Sequence, residues 1–435
     1  MNVKDPVCGM EVGSSFDQAV ESVRKSTVFT THTPVPAGHD VFPAGLVEKY
    51  LAGYRTALGL DRERVLALGE HGESGRGVFN MTALALRLSG RANAVSHRHG
   101  QVSRRLWRGL WPGIPEDRVP IASVTNGVHV PSWVAPEIEQ LYRAFLGERW
   151  RDRNDDMALW DGVARIPDRT LWDAHQALKR RLLRFLQARA RHRWSHNGGT
   201  PVQVMAAGAL LDPDTLTLGF ARRFATYKRA SLLFRDPERL RAIVTDARRP
   251  VQIIFAGKAH PADEPAKRVL QEVYRAAMAP AYEGRVAFVE DYDMQVARHL
   301  VQGVDLWVNT PQPPLEASGT SGMKAALNGI PNLSVADGWW LEAYDGTNGW
   351  VLGASEGDGG GATRDAADAQ DLYRLLEADV VPRFYERDTD GFPTRWIPVM
   401  RPAIQTVAPR FSARRMLKEY MAQLYGPALA GVRRG

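Results

Sequence analysis

The sequence predicts an α/β protein built on a doubly wound parallel sheet, and three observations predict it. Beyond about residue 200, short and mostly apolar runs recur at 216–220, 251–256, 285–289 and 304–308. Stretches of helical spacing separate them, around 230–245, 264–279, 294–302 and 321–328. Polar loops follow the runs and hold the unusual residues. Runs that are apolar throughout suit strands buried on both faces, and alternation with helices makes neighbouring strands parallel. Ligands of such sheets bind beyond the carboxyl ends of the strands.

Two more strands are predicted near 332–336 and 349–352, with a flexible loop at 357–361 between them and the next helix. Long helices are predicted over 366–386 and 412–425. Earlier in the chain, from about 26 to 120, short apolar runs mix with loops. Residues 28–31 read as a buried strand that ends at the polar loop His32–His39, and 81–88 read as a helix. No internal repeat at a fixed period is present.

Composition narrows the class. The chain has 435 residues, 44% hydrophobic and 24% charged, enough for two or three domains with their own cores. Its 56 basic and 49 acidic residues give +7, spread along the chain. That balance suits anionic ligands such as phosphates, and no nucleic-acid recognition motif accompanies it. Cys8 is the sole cysteine, so no intrachain disulfide forms. No segment approaches the roughly 18 apolar residues of a membrane span, and the start has no signal-peptide core. A cytoplasmic protein without membrane or nucleic-acid partners is expected. Asp5, Cys8, His97 and His99 do not make a metal site, and nothing marks a hydrolase triad.

The first twelve residues, MNVKDPVCGMEV, do not read as continuous with the rest. Residues 5–10 resemble the opening of a YHS metal-associated domain whose remaining positions are absent, so 1–12 are read as a leader without function.

The most informative stretch is 316–329, EASGTSGMKAALNG, which follows a predicted strand and opens a helix. Small residues let the backbone approach a ligand, and free N–H groups in a first helical turn favour an anion. Thr320 and Ser321 can add hydroxyl donors, and Lys324 lies one turn inside. A lysine whose pKa is lowered by burial can form an imine with an aldehyde cofactor. On physics alone this is a phosphate-binding loop with a lysine, or a helix start with a solvated lysine. It is not a P-loop, because the required glycine and Lys-Ser/Thr pattern is missing. A second segment, Arg222–Arg229 (RRFATYKR), follows a strand and gathers four cations in eight residues.

The string EASGTSGMKAALNG is similar to the pyridoxal-phosphate lysine motif of the glycogen and α-glucan phosphorylases. It is closest to the bacterial subgroup whose motif continues into DGWW, here 337–340. The resemblance implies that Lys324 forms the Schiff base with pyridoxal 5′-phosphate and that Thr320 and Ser321 contact the cofactor phosphate. It implies that Glu316, Ser318 and Gly319 bind hydroxyls of the transferred glucosyl unit. The RRFATYKR segment resembles the family's substrate-phosphate segment, which assigns that catalytic role to Arg223 and Lys228. Arg222 replaces a more usual lysine near the cofactor phosphate, keeping charge but not geometry. Residues 124–133, VTNGVHVPSW, resemble the family's TNG segment. By it, Asn126 binds the sugar 6-hydroxyl and Trp133 packs near the cofactor ring. The THT of 31–33 matches a segment whose histidine, here His32, also contacts the sugar. Tyr292 matches a tyrosine lining the cofactor pocket, whereas Asp293 stands where animal enzymes commonly have arginine. Residues 257–260, GKAH, match a further segment that we read as structural support.

The resemblance covers the chain from about residue 26 to its end. It implies phosphorolysis of terminal α-1,4 bonds of glycogen or maltodextrin to α-glucose 1-phosphate, with inorganic phosphate and α-1,4-glucan as substrates. It also implies a two-domain GT-B-like glycosyltransferase. On that reading, 13–125 are the C-terminal portion of the family's N-terminal domain. Residues 126–435 are a Rossmann-like domain that binds cofactor and phosphate, its last helix returning to the first domain. The family's long N-terminal region before the THT segment is not found, so the chain alone is expected to turn over poorly or not at all. A homodimer or a complementing N-terminal fragment is the protein partner expected. The alternatives are a non-catalytic cofactor- or glucan-binding remnant and a nucleotide-sugar glycosyltransferase. Lys324 argues against the second, since a sugar-nucleotide donor needs no imine lysine.

Overall fold

Six runs without a single charged residue build the main sheet. In the computed structural model, which describes residues 3–4, 11–12, 16–57, 59–72, 77–196, 211–353 and 361–432, they are β8 (Leu216–Ala221), β9 (Val251–Ala256), β10 (Val286–Val289), β11 (Leu306–Asn309), β12 (Asn332–Val335) and β13 (Gly349–Leu352). All six residues of β8 and of β9 are buried, as both faces of a parallel sheet demand. Their order is β10-β9-β8-β11-β12-β13, and every pairing is parallel. The chain steps outward from β8 to β9 and β10, then returns beside β8 as β11 and steps the other way. The strand order therefore reverses between β8 and β11, which makes their carboxyl ends the switch point where such sheets bind ligands.

The chain forms two units, one of Met1–Thr125, Pro314–Ser318 and Met416–Gly435, the other of Asn126–Pro313 and Gly319–Arg415. The second unit holds the six-stranded sheet. Helix Asp168–His196 packs on it beside helix Met294–Gly303. At the amino ends of β8 and β11 this long helix delivers two buried bases to one acid. His175 Nε2 lies 2.7 Å from Asp305 Oδ1, and Lys179 Nζ donates to Asp305 Oδ2 at 2.6 Å and to the Thr215 carbonyl at 2.6 Å. The amide of Thr217 donates to the same carboxylate at 2.7 Å. Asp305 is thereby drawn inward ahead of β11, and the strand begins at Leu306 rather than at Val304.

The first unit is smaller. Parallel strands β3 (Val28–Thr30), β6 (Arg91–Ala94) and β7 (Ile121–Ser123) lie in the order β3-β6-β7. Strands β4 (Val41–Pro43) and β5 (Val78–Asn80) pair antiparallel, as do β1 (Val3–Lys4) and β2 (Glu11–Val12). Its core gathers Ala83, Leu86, Ala94, Trp107, Val119 and Ile121. The end of the chain returns here. Buried Asn93 on β6 donates to the Tyr420 hydroxyl at 3.0 Å and accepts from Thr30 Oγ1 at 2.8 Å. Val41, Phe42, Tyr50 and Tyr54 are exposed.

Three helical expectations shift. The stretch 230–245 divides into a 3-10 turn, Ala230–Phe234, and helix Pro237–Val244. Asp236 caps the latter by accepting from the Arg239 amide, with proline at its first position. The helix predicted over 366–386 begins earlier, at Ala362–Leu375, and runs on through Leu376–Val380 and Val381–Tyr385. The one predicted over 412–425 continues through Met421–Tyr425 into Gly426–Val432. The YHS-like residues 5–10 and the loop residues 357–360 lie outside the described residues. No helix among the described residues is long and apolar enough to cross a membrane.

Candidate active site

The loop leaving β8 is held to the two strands flanking it at the switch point. The Arg222 amide donates to the Ala256 carbonyl at 3.2 Å, and the Phe224 amide to the Lys258 carbonyl at 2.9 Å. The segment 257–260 thus supports the cation loop. Gln312, just past β11, donates its amide to the Tyr227 carbonyl at 2.7 Å. Within this frame Arg223 is exposed, while Lys228 is buried with its ammonium 4.5 Å from the centre of the Tyr227 ring. Arg222 is half-buried, near enough to Tyr292 to act on its ionisation. Burial raises the Tyr292 pKa, with Arg222 opposing and Asp293 adding to the rise. Asp293 has a different task, capping helix Met294–Gly303 by accepting from the Val296 amide at 2.8 Å.

The lysine loop leads into a short helix, Ser321–Ala326, with Thr320 at its N-cap. Gly319 takes φ 79°, a conformation that favours glycine. At Gly322 a Cβ would come within 2.2 Å of Asn332 Oδ1 and 2.8 Å of the Trp339 ring, so only glycine fits. Ser321 Oγ accepts from the indole N–H of buried Trp307 at 3.1 Å. Lys324 is half-buried, and burial lowers its pKa. Its ammonium sits 4.0 Å from the centre of the Trp133 ring. Among the described residues, no carboxylate lies in ion-pair contact with it.

What holds Trp133 against Lys324 is Asn328, one turn further along. Its Oδ1 accepts from the Ala135 amide at 2.8 Å. Its Nδ2 donates to the carbonyls of Trp133, Val301 and Lys324 at 3.0, 3.1 and 3.0 Å. Asn328 is fully buried, so each of these bonds replaces water that cannot reach it. Asn328 lies within the EASGTSGMKAALNG motif, where the resemblance assigns it no role. Asn126 is half-buried, its carbonyl accepting from Arg415 at 3.2 Å, and the next residues run beside 411–413. A Cβ at Gly127 would strike the Ser412 carbonyl oxygen at 2.3 Å, which explains the glycine of the TNG segment.

The first unit carries the remaining candidates. Glu316 and Ser318 are buried, and Ser318 Oγ has no hydrogen-bond partner among the described residues. Between them the Ala317 carbonyl accepts from Ser96 Oγ at 2.6 Å. Ser96 also caps helix His97–Trp107 by accepting from the His99 amide at 3.0 Å. His32 is exposed, and partial desolvation lowers its pKa. Buried His99 is held down to about 4, mainly by burial, partly offset by the Thr33 backbone. Ser96 escaped the sequence reading because a serine before a histidine carries no motif. No group of three or more His, Cys, Asp or Glu among the described residues could hold a metal ion.

The second unit thus carries a cation loop, a tight glycine-bearing turn and a half-buried lysine on the segments that follow β8 and β11 at the switch point. Residues 10–347 match the model of the carbohydrate phosphorylases. The chain belongs to the carbohydrate phosphorylase family. It is 46% identical to a glycogen phosphorylase of Aquifex aeolicus, across 97% of this chain and 60% of that protein. It is 47% identical to a maltodextrin phosphorylase of Thermococcus litoralis, across 97% of this chain and 49% of that one. A glycogen phosphorylase of Mycobacterium tuberculosis is 45% identical over 98% of this chain and 49% of its own length. The chain therefore spans about half to three-fifths of these relatives.

Proposed function

We propose that this chain carries the cofactor and phosphate sites of an α-glucan phosphorylase, which phosphorolyses terminal α-1,4 bonds of glycogen or maltodextrin to α-glucose 1-phosphate. The observation that carries the reading is Lys324, desolvated, facing the Trp133 ring and without an acid in ion-pair contact among the described residues. A lysine neutralised by a carboxylate would stay protonated, whereas burial alone favours the neutral, nucleophilic amine. The residues fit pyridoxal 5′-phosphate: an amine to hold it, an indole face against that amine, and a turn where Gly319 takes a left-handed φ and Gly322 leaves no room for a side chain.

When bound, that cofactor would supply a phosphate able to exchange a proton with the substrate phosphate. Lys324 would hold it covalently, Thr320 and Ser321 would donate to its phosphate, and Arg222, Tyr292 and Trp133 would line its place. Arg223 and Lys228 would bind inorganic phosphate, offsetting the repulsion between two neighbouring anions. Asn126, His32, Glu316, Ser318 and Gly319 would orient the glucosyl unit as positive charge develops on it. In this reading the two units belong to a GT-B-like pair of domains. Residues 13–125 are part of the first domain and 126–435 the Rossmann-like second, with the end of the chain returning to the first. The single cysteine of the whole chain accords with a cytoplasmic location. A second copy, or a complementing N-terminal fragment, is the proposed protein partner.

The test is release of glucose 1-phosphate from maltodextrin and phosphate by purified chain supplied with pyridoxal phosphate. The reading expects the folded chain to take up the cofactor, and any release to disappear in Lys324→Ala. Release that survives that substitution, or a folded chain that takes up no cofactor, overturns it.

A further inference from the structure

Of the four cations in Arg222–Arg229, the last has no part in the chemistry above, yet the structure engages it fully. Arg229 is only 6% exposed and takes φ 48°, ψ 45°, a left-handed conformation that non-glycine residues seldom adopt. This bend separates the turn Thr226–Lys228 from Ala230–Phe234 and sends the guanidinium inward. Nε donates to the Thr310 carbonyl at 2.9 Å and Nη2 to the Pro311 carbonyl at 2.8 Å. Two carboxylates of helix Ala362–Leu375 close the other side, Asp365 accepting from Nη1 at 2.7 Å and Asp368 from Nη2 at 2.6 Å. Bonds also run in the opposite sense. Thr310 Oγ1 lies 3.1 Å from the carbonyls of both Lys228 and Arg229, and the Gln312 amide meets the Tyr227 carbonyl.

The loops leaving β8 and β11 are thus cross-linked across the switch point, and Arg229 is the link. Its charge is met by two acids, so it offers little to a further anion. Its planar fork reaches four acceptors at once, which a lysine cannot do. Strain held at one residue by surrounding bonds is how a fold fixes a functional loop.

We infer that Arg229 is a positioning residue. With Asp365 and Asp368 it clamps the two switch-point loops together and so presents Arg223 and Lys228 to inorganic phosphate, without touching the phosphate itself. The inference rests on the phosphate role proposed above for that loop, and it gives the fourth cation of the motif a task.

The experiment compares Arg229→Lys and Asp368→Asn with the unaltered full chain by two measurements. Hydrogen exchange reads the clamp directly: the Gln312 amide should exchange about tenfold faster or more in both variants while amides of β9 stay unchanged. Titration calorimetry with inorganic phosphate reads the consequence, and both variants should bind it about tenfold more weakly. The two substitutions separate the explanations. Were Arg229 a direct phosphate ligand, removing the negative charge of Asp368 would tighten phosphate binding, and that result overturns the proposal. Unchanged exchange at Gln312 overturns it whatever phosphate does. Faster exchange with unaltered phosphate affinity also overturns it, leaving a purely structural bond. An unaltered chain that binds no phosphate sinks the parent reading instead, and the exchange result still decides the clamp.

Discussion

Lys179 and Lys324 stand at opposite ends of one sheet, one completely buried and one half-buried, and the fold treats them differently. Lys179, at the amino ends of β8 and β11, meets Asp305 and the Thr215 carbonyl at 2.6 Å and is completely buried. Burial lowers its pKa while Asp305 pulls it back up. Lys324, past the carboxyl end of β11, is lowered by burial alone and faces an indole. The first is a charge locked into the framework. The second has no carboxylate in ion-pair contact among the described residues. The presence of a partner acid tells these two lysines apart better than burial does.

Removing each lysine should expose that contrast. Lys179→Met strands the Asp305 carboxylate in the core, so the second unit should lose about 3–5 kcal/mol, read as a drop in its denaturant midpoint. A loss too small to measure would mean Asp305 finds relief elsewhere and the contrast is false. Asn328→Leu should cost less, about 1–3 kcal/mol, because it leaves buried carbonyls and the Ala135 amide without their partner. It should also free Trp133 from Lys324, seen as a changed indole emission; unchanged emission would show that other contacts place the ring. Lys324→Met should have the smallest effect on stability, and its sign follows from the pKa. A lysine whose folded pKa lies below its unfolded value of 10.5 opposes folding while protonated. The variant should therefore match or exceed the unaltered chain near neutral pH, and the difference should close as pH rises toward the unfolded value. Destabilisation by Lys324→Met at neutral pH would instead reveal a hidden partner.

Much of this was legible in the sequence. The six strands announced themselves because short, mostly apolar runs alternate with helical stretches, and their polar loops fell where a parallel sheet binds ligands. Lys324, Trp133 and the cation loop were found through motif resemblance, and the structure places Trp133 on Lys324. The long helix Asp168–His196 went unread because its buried stripe, with Leu171, His175, Leu178, Lys179 and Leu182, includes two bases that look like solvent-facing charge. Arg229 was invisible for a related reason. Its partners, Asp365 and Asp368, lie more than a hundred residues away, and nothing in RRFATYKR says that one of the four cations is withdrawn. Asn328 and Ser96 act through hydrogen bonds to backbone, which leave no pattern of residue types.

The most direct test is to treat the cofactor-free chain with pyridoxal phosphate, reduce with borohydride and map the modified lysines. The account predicts that Lys324 is trapped ahead of the exposed Lys49, Lys258 and Lys418, because burial lowers its pKa and no carboxylate among the described residues is in ion-pair contact with it. Modification of the exposed lysines with Lys324 left intact would contradict it.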